Sequence, residues 1–186
     1  MSKISLSPNA SGTGTFTIAS PNSNTDRTLT LPDNTGTIIT TASTFAGTGP
    51  AFSAYLGANQ SVTTSTFTKV QCNTEEFDTN SNYDNATNYR FTPTVAGYYQ
   101  VNVRINSLVA STLLICSLYK NGAEFKRGND LRVSLNSSSA ITSSFLLYLN
   151  GSTDYIELYA YITGTSPSIE SGATNAWFQA SMVRGA

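Results

Sequence analysis

The chain has no histidine at all. That removes the usual general base near neutral pH, the Ser-His and Cys-His nucleophile pairs, and most zinc and transition-metal sites. Charge is nearly as scarce. Ten Lys and Arg face 11 Asp and Glu in 186 residues, 11% of the chain with a net charge of −1. An average soluble domain carries about 25%. So weak a field gathers no phosphates, and nucleic acid is not an expected partner. The two cysteines, Cys72 and Cys116, form no Cys-x-x-Cys motif, which leaves redox catalysis without support. No apolar run is long enough to span a bilayer, so membrane insertion is not expected. Met1 to Pro8 lack the apolar stretch of a secretory signal, which predicts synthesis in a cytosol. There, buried free thiols are expected ahead of a disulfide between Cys72 and Cys116.

Small neutral polarity takes the place of charge. The chain holds 25 Ser, 27 Thr and 17 Asn, with 10 Tyr and 9 Phe. Thr favours strands, Asn and Ser favour turns, and the aromatics suffice for a core. A disordered chain carries fewer aromatics. The composition is that of an all-β surface protein rather than an enzyme.

Two segments differ in character. Residues 1–45 hold few bulky core residues. Ser11 to Ala19 and Thr28 to Ile38 alternate in places, with a turn at Asp33-Asn34-Thr35-Gly36. Such a segment cannot bury enough area to fold alone, and it needs copies of itself or another protein. Residues 46–50 read as a linker. From residue 51 the aromatics arrive. Strands are predicted over 51–56, 66–72, 89–92, 97–105, 113–119, 141–149, 155–162 and 176–183. Residues 97–105 alternate almost without fault, with Tyr99, Val101, Val103 and Ile105 on one face. Asn121-Gly122, between two strand-like runs, is the strongest short hairpin signal. Many short strands separated by turns predict a sandwich or jelly roll of about ten antiparallel strands.

The order of these stretches resembles the complement C1q-like globular head of the tumour-necrosis-factor jelly-roll superfamily. The resemblance rests on Pro50 to Leu56, Tyr89 to Tyr99, Leu118 to Gly122, Leu147 to Leu158 and Trp177 to Val183. Ser152 and Thr153 are inserted relative to the family's Gly-Asp pair, and the last strand departs from the usual Phe-bearing ending. The resemblance implies a homotrimer packed through aromatic and aliphatic faces. Tyr55, Tyr98, Tyr148, Tyr155, Tyr159 and Tyr161 are the candidate trimer-interface residues, since Tyr joins an apolar body to a polar tip. A second stretch, Thr28 to Ile38, resembles a segment common in structural proteins of tailed bacteriophages. Residues 1–45 are therefore expected to be a β-rich stalk or anchor joined to a phage tail or capsid protein, with Leu29, Leu31, Pro32, Asp33 and Gly36 as attachment residues.

Catalytic arrangements find little support. Glu75 and Glu76 point to opposite faces if extended, and Asp154 and Glu157 are no better placed for a two-carboxylate hydrolase. Asp78 to Asp84 offers oxygens at alternate positions, as a calcium loop does, but Tyr83 stands where the sharp-turn Gly belongs. A solvated loop is the expectation, so no cofactor is assigned. Lys120, Lys126, Arg127, Arg132 and Arg104 surround the central hairpin, either as solvated charge, as a network with Asp130, or as a site for anionic sugar.

The expectation is a non-enzymatic virion fibre protein, made in the host cytoplasm, whose head binds a host surface receptor of glycan type. Loops at the sandwich ends carry such contacts. The candidates are Asn82, Tyr83, Asn85 and Asn88 in one loop and Ser166, Ser168 and Glu170 in another. A capsid decoration or head-fibre protein is the alternative, and a secreted bacterial adhesin is less favoured.

Overall fold

The computed structural model describes residues 49–132 and 138–186, with 10–15, 17, 19, 22–26 and 28 of the N-terminal segment. The chain divides into two compact units, Met1–Ile38 and Ile39–Ala186. The described residues of the first form turns and bends, with no strand among them. The expected attachment residues Leu29, Leu31, Pro32, Asp33 and Gly36 lie outside the described residues, as does most of the expected stalk.

The second unit is all-β, and no helix occurs among its described residues. In chain order its strands are β1 (Ala51–Tyr55), β2 (Gln60–Ser61), β3 (Thr68–Lys69), β4 (Thr74–Asp78), β5 (Tyr83–Asp84), β6 (Arg90–Phe91) and β7 (Gly97–Ser107). They continue as β8 (Ser111–Lys120), β9 (Ala123–Arg132), β10 (Ser139–Leu149), β11 (Ile156–Gly164), β12 (Ser168–Ile169) and β13 (Trp177–Gly185). All pairings are antiparallel. The first sheet runs β4-β1-β13-β7, with β10 along the whole other edge of β7 and β12-β2 continuing from its end. The second sheet runs β5-β6-β11-β8-β9, with β3 also on β11. This is a jelly-roll sandwich.

Alternation sets the core. In β7, Tyr99, Val101, Val103 and Ile105 are fully buried, and the residues between them face outward. β10 and β11 repeat the pattern with Phe145, Leu147 and Leu149, and with Ile156, Leu158, Ala160 and Ile162. Phe52 sits at the centre. Its ring stacks on Tyr83 at 4.5 Å and on Phe91 at 4.6 Å, and meets Phe178 edge-on at 4.9 Å. Phe52 and Phe178 belong to the first sheet, Tyr83 and Phe91 to the second, so the cluster ties the two together. Asn121 and Gly122 turn β8 into β9 with φ of 54° and 81°. Two positive values are the signature of a type I′ turn, which favours Gly at its second position.

One expectation needs correction, and one strand was not foreseen. The predicted strand over 66–72 is paired only at Thr68–Lys69, where it meets Ala160 and Tyr159 of β11. β9 was not legible as alternation, because most of its residues are exposed on both faces. Both cysteines are buried free thiols, and burial pushes both thiols up, away from the reactive thiolate form. Replacing Phe52 by Ala should destabilise the sandwich by about 3–5 kcal/mol, read from urea unfolding. An unchanged midpoint would contradict its central place.

Candidate assembly face

The two outer faces of the sandwich differ. On the second sheet the side chains satisfy one another. Tyr119 and Tyr159 stack at 3.8 Å, and Phe67 lies 5.1 Å from Tyr161. Arg90 covers Tyr155 at 4.3 Å, and Arg127 covers Phe67 at 5.3 Å. Lys69 pairs with buried Glu157 at 2.5 Å, and Arg127 pairs with Glu124 at 3.0 Å. Rings shield rings, and each charge named has its partner.

The first sheet does not close on itself in this way. Tyr98 and Tyr148 face each other across β7 and β10, with rings 5.6 Å apart. With Leu146, Val183, Arg184 and the chain end they line a hollow of about 510 Å³. Leu146 is 51% exposed and Val183 49%. Further along, Gln100 donates to Ser144 at 2.6 Å, and Ser144 donates to Asn102 at 2.7 Å. A smaller groove of about 330 Å³ follows, lined by Asn102, Thr142, Ser143, Ser144, Trp177 and Gln179. Arg104 stands beside Trp177 and Thr142, and its Nε is buried without an acceptor. Among the described residues neither Arg104 nor Arg184 has an ion-pair partner. Exposed apolar rings beside unanswered cations mark an interaction surface.

The β10 edge of this sheet is closed to strand addition. β9 lies against β10, and its side chains cap the β10 carbonyls. Lys126 donates to the Leu146 carbonyl at 3.2 Å and Asn129 to that of Thr142 at 3.1 Å, while Lys120 of β8 reaches Tyr148 at 2.9 Å. Covered carbonyls offer no template for another strand. Contact beside β10 therefore uses the sheet's side-chain face rather than that edge.

The six candidate tyrosines do not share one face. Tyr98 and Tyr148 lie together in the hollow, and Tyr55 pairs with Trp177 further along the first sheet. Tyr155, Tyr159 and Tyr161 belong to the self-packed face of the second sheet. The five basic residues around the hairpin are also divided. Lys120 pairs with Asp154 and Arg127 with Glu124, while Arg104 projects from the other sheet.

The loop candidates are also corrected in part. Tyr83 is only 6% exposed, its hydroxyl donates to the Cys72 carbonyl at 2.9 Å, and its ring is covered by Phe52. It is a core residue, unavailable for stacking on a ligand. Asn82 is buried too, accepting from the Thr94 amide and hydroxyl at 3.1 and 3.2 Å. Asn88 donates to Asp84 at 2.6 Å, and Glu170 accepts from Asn106 at 2.5 Å. Asn85, Ser166 and Ser168 carry no side-chain hydrogen bond among the described residues. The two loops do not converge. One flanks Phe91, which pairs with the start of β11, and the other follows the end of β11. At about 3.3 Å per residue along that strand they are roughly 27 Å apart.

The carboxylates of the suspected calcium loop are already engaged. Asp78 accepts from the amides of Asn80 and Tyr83, at 3.3 and 2.7 Å. Asp84 accepts from Ala86, Thr87 and Asn88. The Thr87 amide first, then the Asn88 side chain, hold the Asp84 carboxyl down at about 2. Glu76 accepts from Ser53 at 2.7 Å, which ties it to β1 rather than to a reacting carboxylate pair.

No protein-family model matches the chain, and no curated protein matches it. Solved structures do. The globular domain of zebrafish complement 1qA is 18% identical, with 74% of this chain and 99% of that one covered at a TM-score of 0.57. Murine APRIL at pH 5.0 is 9% identical, with 71% and 97% covered at 0.56. At such identities the likeness is one of fold, and the fold is the C1q and TNF-type jelly roll.

The Asp84 cap has a pH signature. Its carboxyl lies below the ordinary value, so its contribution is present above about pH 4 and is lost as pH falls toward about 2. Asp84→Asn should lower the melting temperature at pH 7 by roughly 2–4 °C. The difference from the unmodified chain should close by about pH 2. A constant difference at every pH would assign the effect to something other than the charge.

Proposed function

We propose that this chain is a bacteriophage virion fibre protein. Residues 1–45 join it to a tail or capsid protein. Three copies of residues 51–186 form a head that meets the host surface and binds a receptor of glycan type. The observation that carries the reading is the first sheet's outer face, where one copy leaves Tyr98, Leu146, Tyr148 and Val183 exposed beside unpaired Arg104 and Arg184. A second copy covers such a face with no other protein present. The fold supports it, since the resemblance noted in the sequence implies a homotrimer. The Thr28 to Ile38 stretch supports the particle context through its likeness to phage structural proteins.

The mechanism is binding rather than catalysis. Each head contributes a weak contact, and three held together raise the effective concentration of the second and third contacts. That contact uses one end of the sandwich, either Asn85, which both donates and accepts, or Ser166 and Ser168 at the other end, whose hydroxyls are free. Lys and Arg are too few for binding to rest on a broad cationic field.

Purified full-length chain, added before phage to a bacterium that the particle infects, should reduce adsorption in a saturable way. Deleting residues 1–45 should preserve that competition but abolish incorporation into particles. Unchanged adsorption at saturating protein, with incorporation intact, would make the chain a capsid decoration protein instead.

A further inference from the structure

Arg90, on the second sheet, is pinned but unanswered. Its guanidinium lies over the Tyr155 ring at 4.3 Å, which holds its fork in one orientation. The ring beneath is fixed in turn. The Tyr155 amide donates to the Asn121 side chain at 2.9 Å, and the Asn121 amide donates to the Tyr155 carbonyl at 3.1 Å. Gly122 leaves room for the ring, since a Cβ there would stand 3.3 Å from the Tyr155 hydroxyl. Arg127 covers Phe67 in a similar way, yet it also pairs with Glu124. Arg90 has a ring for a partner and, among the described residues, no counter-ion.

The carboxylates that the strand register places beside it are engaged. Asp84 stands opposite Arg90 across β5 and β6, but its two oxygens accept from the Ala86, Thr87 and Asn88 amides and the Asn88 side chain. Glu157 follows Ile156, the partner of Phe91, and it pairs with Lys69. Asp154, next to Tyr155, takes Lys120, Asn121 and the Asn150 amide. The Arg90 N–H groups stay open to water. Among the described residues only the Arg104 Nε and the Ser111 Oγ are buried without a partner.

A guanidinium held in place with its donors facing water matches a planar carboxylate, which takes two parallel N–H bonds. The ligand's charge follows from its neighbours. Arg90 is one cation, and Asp84 opposite it is ionised at neutral pH. A doubly charged phosphate would be repelled by that carboxylate, whereas a single negative charge is balanced by Arg90. The rest of the surroundings suit hydroxyl groups and ring edges. Tyr89 and Tyr155 are half-buried rings with polar tips, and Asn85, in the same β5–β6 connection, has a side chain without a hydrogen bond.

Resting on the glycan-receptor reading above, we propose that Arg90 binds the carboxylate of an acidic sugar of the hexuronate class. Tyr155 holds the guanidinium in place, and Asn85 lies on the same end of the sandwich to meet the sugar's hydroxyls. The receptor contact is thereby assigned to the β5–β6 end and not to Ser166 and Ser168.

Binding of an oligogalacturonate to the immobilised full-length chain tests this, beside its methyl ester and a sulfated neutral oligosaccharide of equal length. The acid should bind saturably, and the ester at least about tenfold more weakly. Arg90→Gln and Arg90→Lys should each weaken binding of the acid by about tenfold or more, since the ammonium keeps the charge but loses the fork. Arg132, whose side chain is 76% exposed, is the control for general charge. Arg132→Gln should change binding by less than about twofold. Far-UV circular dichroism verifies that each variant folds. The inference is overturned if the oligogalacturonate does not bind saturably, if the ester or the sulfated sugar binds as tightly, or if Arg132→Gln costs as much as Arg90→Gln. Competition for phage adsorption separates it from the reading on which it rests. If the unmodified chain does not block adsorption, the receptor reading fails and this inference with it. If the unmodified chain blocks adsorption and Arg90→Gln blocks it equally well, this inference alone is overturned.

Discussion

The packing of Phe52 is the contact on which the rest depends. It lies between two rings of the second sheet and one of the first, and all four are buried. Each such ring removes a large apolar area from water and prefers stacked or edge-on neighbours at these distances. The cluster fixes how the sheets face each other. Because successive side chains alternate, it also fixes which residues must point outward. Tyr98, Gln100, Asn102 and Arg104 face out because Tyr99, Val101 and Val103 face in.

With the inward set fixed, the two outer faces have different fates. The second sheet carries enough rings and opposite charges to cover most of itself, with Phe125 on its β9 edge left exposed. The first carries a hollow, a groove and two arginines that no carboxylate among the described residues answers. A chain so poor in charge cannot keep such a surface apart by repulsion between copies. Side chains from β8 and β9 cover the β10 carbonyls, so the β10 edge is closed to strand addition and the side-chain face beside it remains for contact. In the proposed assembly, the same alternation that builds the core also leaves the face on which copies meet.

Much of this fold was legible in the residues. β7 was visible because it is buried on one face only, so its period of two is clean. The β8–β9 turn was visible because Asn-Gly meets a backbone requirement few residue pairs meet. β9 was hidden because an edge strand exposed on both faces carries no alternation. The tyrosines show the main limit. Tyr155, Tyr159 and Tyr161 were rightly read as sharing a face, but periodicity does not say which sheet that face belongs to. Tyr83 was placed in a surface loop because Asn, Asp and Thr surround it, whereas its ring reaches into the core through a two-residue strand. Arg104 as an unanswered charge was not legible at all, since its isolation depends on β13 and β10 lying on either side of it.

The central claim is that the first sheet's outer face is completed by other copies of the chain. The solution mass of the full-length protein and of residues 50–186, measured side by side by light scattering, tests it most directly. Both should have three times their single-chain mass. A trimeric full-length chain with a monomeric 50–186 would place assembly in the N-terminal segment and leave the first sheet without its assigned role. Single-chain mass for both would contradict the account.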